Sequence, residues 1–129
     1  MLELAFPGAV SDIRWTDGGS ADQIPSFIEF TLQPSGALIR EEIVGRSEID
    51  YTLKYRSVGA ALSMVDYIAS FRLRIITDEV NKSFFETTKE FSLVEGTDAS
   101  AFLTMYEALV HKETRDVKAA FAARARAAA

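Results

Sequence analysis

The chain has 129 residues, 48% of them hydrophobic and 26% charged, with 19 acidic against 14 basic residues and a net charge of −5. That length favours a single domain able to bury roughly 65–70% of its unfolded surface, and the acidic balance, without clustered Lys and Arg, argues against a nucleic-acid binder. The absence of cysteine excludes disulfides, thiolate zinc sites and cysteine catalysis, and fits a reducing cytoplasm.

The N-terminal stretch Met1 to Val10 carries no basic residue and contains Glu3 and Pro7, unlike a signal peptide. No apolar run approaches the ~20 residues of a membrane span. Leu2, Leu4 and Phe6 alternate and allow a short strand before Pro7-Gly8 breaks it. Val10 to Thr16 reads as a strand with Ile13 and Trp15, ended by the turn signal Asp17-Gly18-Gly19-Ser20. Phe27 to Gln33 follows, with Ile28, Phe30 and Leu32 on one face, and Pro34-Ser35-Gly36 makes a tight turn. Ala37 to Arg46 is a strand interrupted by Arg40, Glu41 and Glu42, which are expected to be one solvated and one rim carboxylate beside the arginine.

Ile49 to Arg56 alternates, with Ile49, Tyr51, Leu53 and Tyr55 opposite Asp50, Thr52, Lys54 and Arg56. Val65 to Thr77 sets Tyr67, Ala69, Phe71, Leu73 and Ile75 against Ser70, Arg72 and Arg74. Lys82 to Val94 sets Phe85, Thr87, Lys89, Phe91 and Leu93 against Glu86, Thr88 and Glu90. Six strands joined mostly by short turns predict an antiparallel meander.

Asp98 is a good N-cap for one long amphipathic helix reaching about Ala122. At 100° per residue, Phe102, Tyr106, Leu109, Val117 and Ala120 fall within about 80° of arc. His111, Arg115 and Lys118 lie opposite, and Glu113 interrupts the apolar stripe. The Ala-rich end, residues 123–129, is expected to be a frayed tail. The fold class is therefore α+β, a curved antiparallel sheet of about six strands with a long C-terminal helix.

The succession of elements, with Phe30-Thr31-Leu32, Arg40-Glu41-Glu42-Ile43, Tyr51-Thr52-Leu53-Lys54-Tyr55, Asp66-Tyr67-Ile68-Ala69-Ser70-Phe71-Arg72 and Glu90-Phe91-Ser92-Leu93, resembles the polyketide cyclase/dehydrase type of the START-like, or SRPBCC, superfamily. The resemblance covers residues 10–122 and rests on the order of elements more than on any one string. It implies the helix-grip fold of the birch pollen allergen, in which the sheet wraps on the C-terminal helix and encloses a cavity. The family pattern begins with a further strand and two short helices, for which this sequence has at most nine residues. Losing that strand would leave two open sheet edges, which are association sites. Leu2 to Phe6, a second copy of the chain acting as a homodimer partner, or a longer natural N-terminus would each answer the gap.

The expected cavity is lined from the strands by Trp15, Phe30, Tyr51, Leu53, Tyr55, Tyr67, Phe71, Phe85, Thr87 and Phe91, and from the helix by Phe102, Tyr106 and Leu109. An apolar pocket with a few hydroxyls is the usual form of a small-molecule site. The competing reading is a solid core. Tyr51, Tyr55 and Tyr67 could orient a ligand carbonyl or satisfy backbone carbonyls instead. Glu113 either faces the cavity, where it could work as a general acid or base, or is wet or paired with Lys89 or an arginine. Lys89, nominally inward, is expected at the mouth with its stem packed.

His111 is the sole histidine and is expected on the polar helix face, so no metal site is expected. No G-x-S-x-G, G-x-G-x-x-G or phosphate-binding loop occurs, and no cofactor is expected. Three functions remain open: a binder of a hydrophobic small molecule such as a lipid or polyketide-like aromatic, a cyclase/aromatase-type enzyme acting by positioning and acid/base help, and a protein-interaction module using the open edges.

Overall fold

The computed structural model describes residues 7–129, so the strand expected at Leu2 to Phe6 lies outside the described residues. The elements are β1 (Val10–Thr16), β2 (Ser26–Leu32), β3 (Leu38–Ser47), β4 (Thr52–Ser57), β5 (Met64–Ile75), β6 (Ser83–Leu93) and the helix α1 (Ala99–Ala127). The six strands form one sheet in sequence order, β1-β2-β3-β4-β5-β6. Strands β3 to β6 pair antiparallel with their neighbours, as alternation and short turns predict. Among the described residues β1 and β6 are the edges.

One strand starts later than its alternation predicts. Ser47 Oγ accepts from Asp50 N at 3.1 Å, and Tyr51 has a φ of 50°. Residues 48–51 are therefore a turn, and β4 begins at Thr52. Ile49 and Tyr51 consequently stand outside the strand, 91% and 57% exposed. The carbonyl of Tyr51 still accepts from Leu73 N at 3.1 Å, which anchors the turn to β5.

The chain divides into two compact units. One comprises the described part of Met1–Ile13 with Phe30–Leu38 and Glu95–Ala129. In it, the tight turn after β2 is closed by Gly36 N donating to Leu32 O and Leu32 N to Ala37 O. Gln33 ties that turn to the start of β1, through N to Ala9 O at 2.8 Å and through Nε2 to Ser11 Oγ at 3.0 Å.

Helix α1 belongs to the same unit. Asp98 caps it, its Oδ1 accepting from Ala101 N at 3.1 Å. Phe102, Glu113 and Val117 are buried, Tyr106, Leu109 and Ala120 are partly so, and His111, Arg115 and Lys118 are exposed. That is the face the helical wheel predicts. The helix continues to Ala127, so residues 123–127 are helical in place of the expected frayed tail. Alanine has the highest helix propensity, and Arg124 and Arg126 sit favourably at the negative end of the dipole.

The second unit comprises Arg14–Glu29 and Ile39–Val94. The β1–β2 loop is held there by a buried hydroxyl. Ser26 is 1% exposed, and its Oγ donates to Ser20 O and accepts from Ser20 N, both at 2.9 Å. Gly19 is required beside it, because a Cβ would come within 2.8 Å of Ser26 Oγ and 2.9 Å of Thr16 O. Arg46 reaches the same loop through Ala21 O and lies 2.6 Å from Glu48. Arg40 stacks its guanidinium 4.6 Å above the Phe27 ring and pairs with Asp17.

Candidate functional site

Register decides which side chains of β4, β5 and β6 share a face. Leu53 stands opposite Phe71, and Phe71 opposite Thr87. Tyr55 stands opposite Ala69, and Ala69 opposite Lys89. Leu73 faces Phe85, and on the β3 side Ile43 faces Tyr55. Paired residues project to the same side, so these form one continuous face. The opposite face is polar, with Arg72 opposite Glu86 and Arg74 Nε 3.3 Å from Glu86 Oε2.

Five aromatic rings run in a line across this face. Phe85 stacks on Phe71 with centroids 5.4 Å apart, and Phe71 lies 5.4 Å from Tyr55. Tyr55 lies 6.2 Å from Tyr67, which stacks on Phe91 at 6.1 Å. These separations are those of favourable aromatic pairs. Ala69 makes the line possible. It is 2% exposed between Tyr67 and Phe71 on β5 and opposite Tyr55, where a larger side chain would occupy the space the rings share.

The ends of the line are not sealed. Tyr55 and Tyr67 are buried, whereas Phe71, Phe85 and Phe91 keep part of their surface open, as do Leu53 and Thr87. Next along β4 and β5, a cleft of about 430 Å³ is lined by Arg56, Ser57, Val58, Asp66, Tyr67 and Ile68, and the Arg56–Ile68 pair places it at least partly on the polar side. Ligand pockets begin near ~300 Å³. The strand is irregular here: a bulge falls between Val65 and Ile68, and Asp66 has a φ of 54°, a region that Asp tolerates better than most residues.

Two consecutive carboxylates on β3 have different surroundings. Glu42 stands opposite Arg56 on the polar face, and its Oε2 accepts from Arg56 Nε at 2.5 Å. Glu41 projects to the aromatic face, flanked along β3 by Ile39 and Ile43 and facing Ser57 across the ladder. Among the described residues it makes no hydrogen bond or ion pair. Burial pushes its carboxyl up to about 7, against an opposing pull from the Lys89 ammonium. The expectation of one solvated and one rim carboxylate is thus corrected: Glu42 is 9% exposed and paired, and Glu41 is part-buried on the apolar side. The sequence signal was present, since Ile39, Glu41 and Ile43 alternate, but the adjacent charges of Arg40 and Glu42 mask it.

The other expected lining residues lie elsewhere. Trp15 on β1 and Tyr51 in its turn are 41% and 57% exposed and make no ring contact among the described residues. Phe30 on β2 is buried. In the helix-containing unit, Phe102 stacks on Tyr106 one turn later with centroids 5.6 Å apart, and Leu109 is part-exposed. Glu113 is 6% exposed, which excludes the wet alternative for it. Among the described residues no helix is long and apolar enough to cross a membrane. Nor do three or more His, Asp or Glu side chains gather there as a metal site would need.

No family model matches the sequence, and neither does any curated protein. Solved structures do match. An uncharacterised protein from Bacillus thuringiensis superposes with a TM-score of 0.70 at 18% identity, covering 88% of this chain and 76% of its own. The protein XoxI from Bacillus cereus gives 0.67 at 20% identity, covering 84% and 70%. Ginseng major latex-like protein 151, from Panax ginseng, gives 0.62 at 17% identity, covering 92% and 78%. The chain has the helix-grip fold of the birch pollen allergen. At these identities the likeness concerns the fold alone, and function has to be argued from the site.

Proposed function

We propose that the chain binds a hydrophobic small molecule, a lipid or a polyketide-like aromatic, on the aromatic face of β4, β5 and β6. One observation carries this reading: the line from Phe85 to Phe91 is continuous, yet Phe71, Phe85 and Phe91 remain part-exposed. Rings in a finished core would be close-packed and fully buried. Apolar ring surface left open on one continuous face is what a bound apolar molecule would cover. Native mass spectrometry of the purified chain tests it. A retained mass of lipid or aromatic size is expected, together with saturable binding of naphthalene-type probes. No retained mass and no saturable binding would sink the reading.

A second reading is favoured by Glu41. A carboxyl pushed up to about 7 can both give and take a proton near neutrality, as a cyclase-type closure of a poly-β-keto chain requires. Glu113, buried in the helix, is a separate candidate for acid/base help. Turnover of a supplied poly-β-keto thioester that survives Glu41→Gln and Glu113→Gln unchanged would remove both from it.

A further inference from the structure

The aromatic face carries one acceptor that the fold itself leaves unused. Glu41 lies between Ile39 and Ile43 on the apolar side of β3, and no described residue donates a hydrogen bond to it. Its neighbour Glu42 points the other way and takes Arg56, so that guanidinium serves the opposite face. The residue opposite Glu41 is Ser57, two places from Tyr55 of the aromatic line on the same face of β4. Cross-strand partners hold their Cβ atoms about 5 Å apart. Glu41 is therefore placed on the ring-bearing face, diagonal to Tyr55. Lys89 is near enough to act on the Glu41 carboxyl electrostatically, without forming an ion pair with it.

We infer that Glu41 selects the ligand's polar group: the site takes an apolar molecule bearing a hydroxyl, an alcohol or a phenol, which donates to the Glu41 carboxyl while its hydrocarbon body covers the rings. The chemistry favours a donor on the ligand. A part-buried carboxyl flanked by Ile39 and Ile43 has lost much of its water, and a hydroxyl delivered with the ligand restores what burial removed. An apolar molecule without a donor would cover the rings equally well and leave the ionised Glu41 carboxylate dehydrated and unsatisfied. A site built to hydrogen-bond a hydroxyl discriminates against the analogue that lacks it more sharply than an apolar pocket discriminates by size.

This inference rests on the apolar-ligand reading, and a matched pair of probes separates the two. 2-Naphthol and 2-methoxynaphthalene present the same rings, and only the first can donate. Binding of each to the full chain is followed by fluorescence titration above about pH 8, where Glu41 is ionised and only accepts, and the Glu41 carboxyl carbon by NMR, its signal assigned from its absence in Glu41→Gln. The expected result is that 2-naphthol binds roughly tenfold tighter or better and shifts the Glu41 carboxyl signal, while 2-methoxynaphthalene binds without shifting it. Glu41→Leu should bind both probes alike. Equal affinity of the two probes for the natural chain, an unmoved Glu41 signal, or a preference that persists in Glu41→Leu would each overturn the role of Glu41 while leaving the apolar site standing. Failure of both probes to bind saturably would overturn the apolar site itself, and the role of Glu41 with it. The carboxyl signal is read on the natural chain and decides the question even where Glu41→Leu does not fold.

Discussion

Arg56 Nε meets Glu42 Oε2 at 2.5 Å between neighbouring strands, and the two residues differ sharply in exposure: the arginine side chain is 58% open to solvent and the carboxylate side chain 12%. The pair is therefore asymmetric. Losing the arginine strands a nearly dehydrated anion, whereas losing the glutamate returns an arginine to water. Arg56→Met should destabilise the chain by about 1–3 kcal/mol in urea unfolding, and Glu42→Gln by clearly less. Equal effects of the two substitutions would contradict this asymmetry.

Glu41 makes stability depend on pH in the sense opposite to most carboxylates. Its carboxyl is held at about 7 in the fold against 4.5 ordinarily, so the folded chain keeps a proton that the unfolded chain has released. That contribution is fully present below pH 4.5 and is lost as pH rises through 7. At ~1.36 kcal/mol for each pH unit of that window, the loss reaches up to about 3 kcal/mol. The difference in stability between Glu41→Gln and the natural chain should accordingly grow in favour of the variant from pH 4.5 to 7. A difference that stays flat across the window would show that the proton is not retained.

The aromatic line predicts a coupling between stability and binding. Phe71 touches both Tyr55 and Phe85, and Phe71→Ala removes two of the line's contacts at once. Because the ring is part-exposed, the expected cost is about 1–3 kcal/mol, below the 3–5 of a fully buried phenylalanine. Saturable binding of 2-methoxynaphthalene should weaken in parallel. Unchanged probe binding in a folded Phe71→Ala chain would place the apolar site elsewhere.

Ser26 and Gly19 give a test that involves no ligand. Ser26→Ala removes both hydrogen bonds to Ser20 and should cost about 1–3 kcal/mol. Gly19→Ala forces a Cβ against Ser26 Oγ and the Thr16 carbonyl and should cost at least as much in thermal unfolding. A neutral Gly19→Ala would mean that the loop opens without penalty.

Asp98→Ala should cost about 1 kcal/mol of helix stability, because it leaves Ala101 N without its acceptor. Asp98→Asn should recover most of it, as measured by far-UV circular dichroism on heating.

Much of this architecture is legible in the residues because two periodicities do most of the specifying. Alternation located five strands nearly to their ends, and the 3.6-residue period identified the buried stripe of α1, Glu113 included. Tyr51 shows where alternation misleads: the pattern continues through a turn, and only a positive φ, invisible in the letters, ends the strand. The extension of α1 to Ala127 reflects propensity acting where no apolar pattern remains to be counted. At the site, Tyr55, Tyr67, Phe71, Phe85 and Phe91 could be named from alternation, but their order in a line depends on inter-strand register, which a single strand does not encode. Glu41 was hidden for a related reason. Charge predicts exposure on average, and only its parity relative to Ile39 and Ile43 says otherwise.

That parity has an evolutionary side. Glu41 and Glu42 are chemically interchangeable, and a slip of β3 by one residue would exchange their places, presenting to the rings the glutamate that now answers Arg56 and turning Ile39 and Ile43 outward. Ile39 and Ile43 therefore work as the address label, because Arg56 would accept either glutamate and only the isoleucines distinguish the two sides. A single-residue insertion or deletion in the connection between β2 and β3 would be read as a wrong address, and the irregular pairing around Gly45 is where the strand could absorb the error. Lineages that change the length of this connection should be found to change residue 41 or 42 along with it.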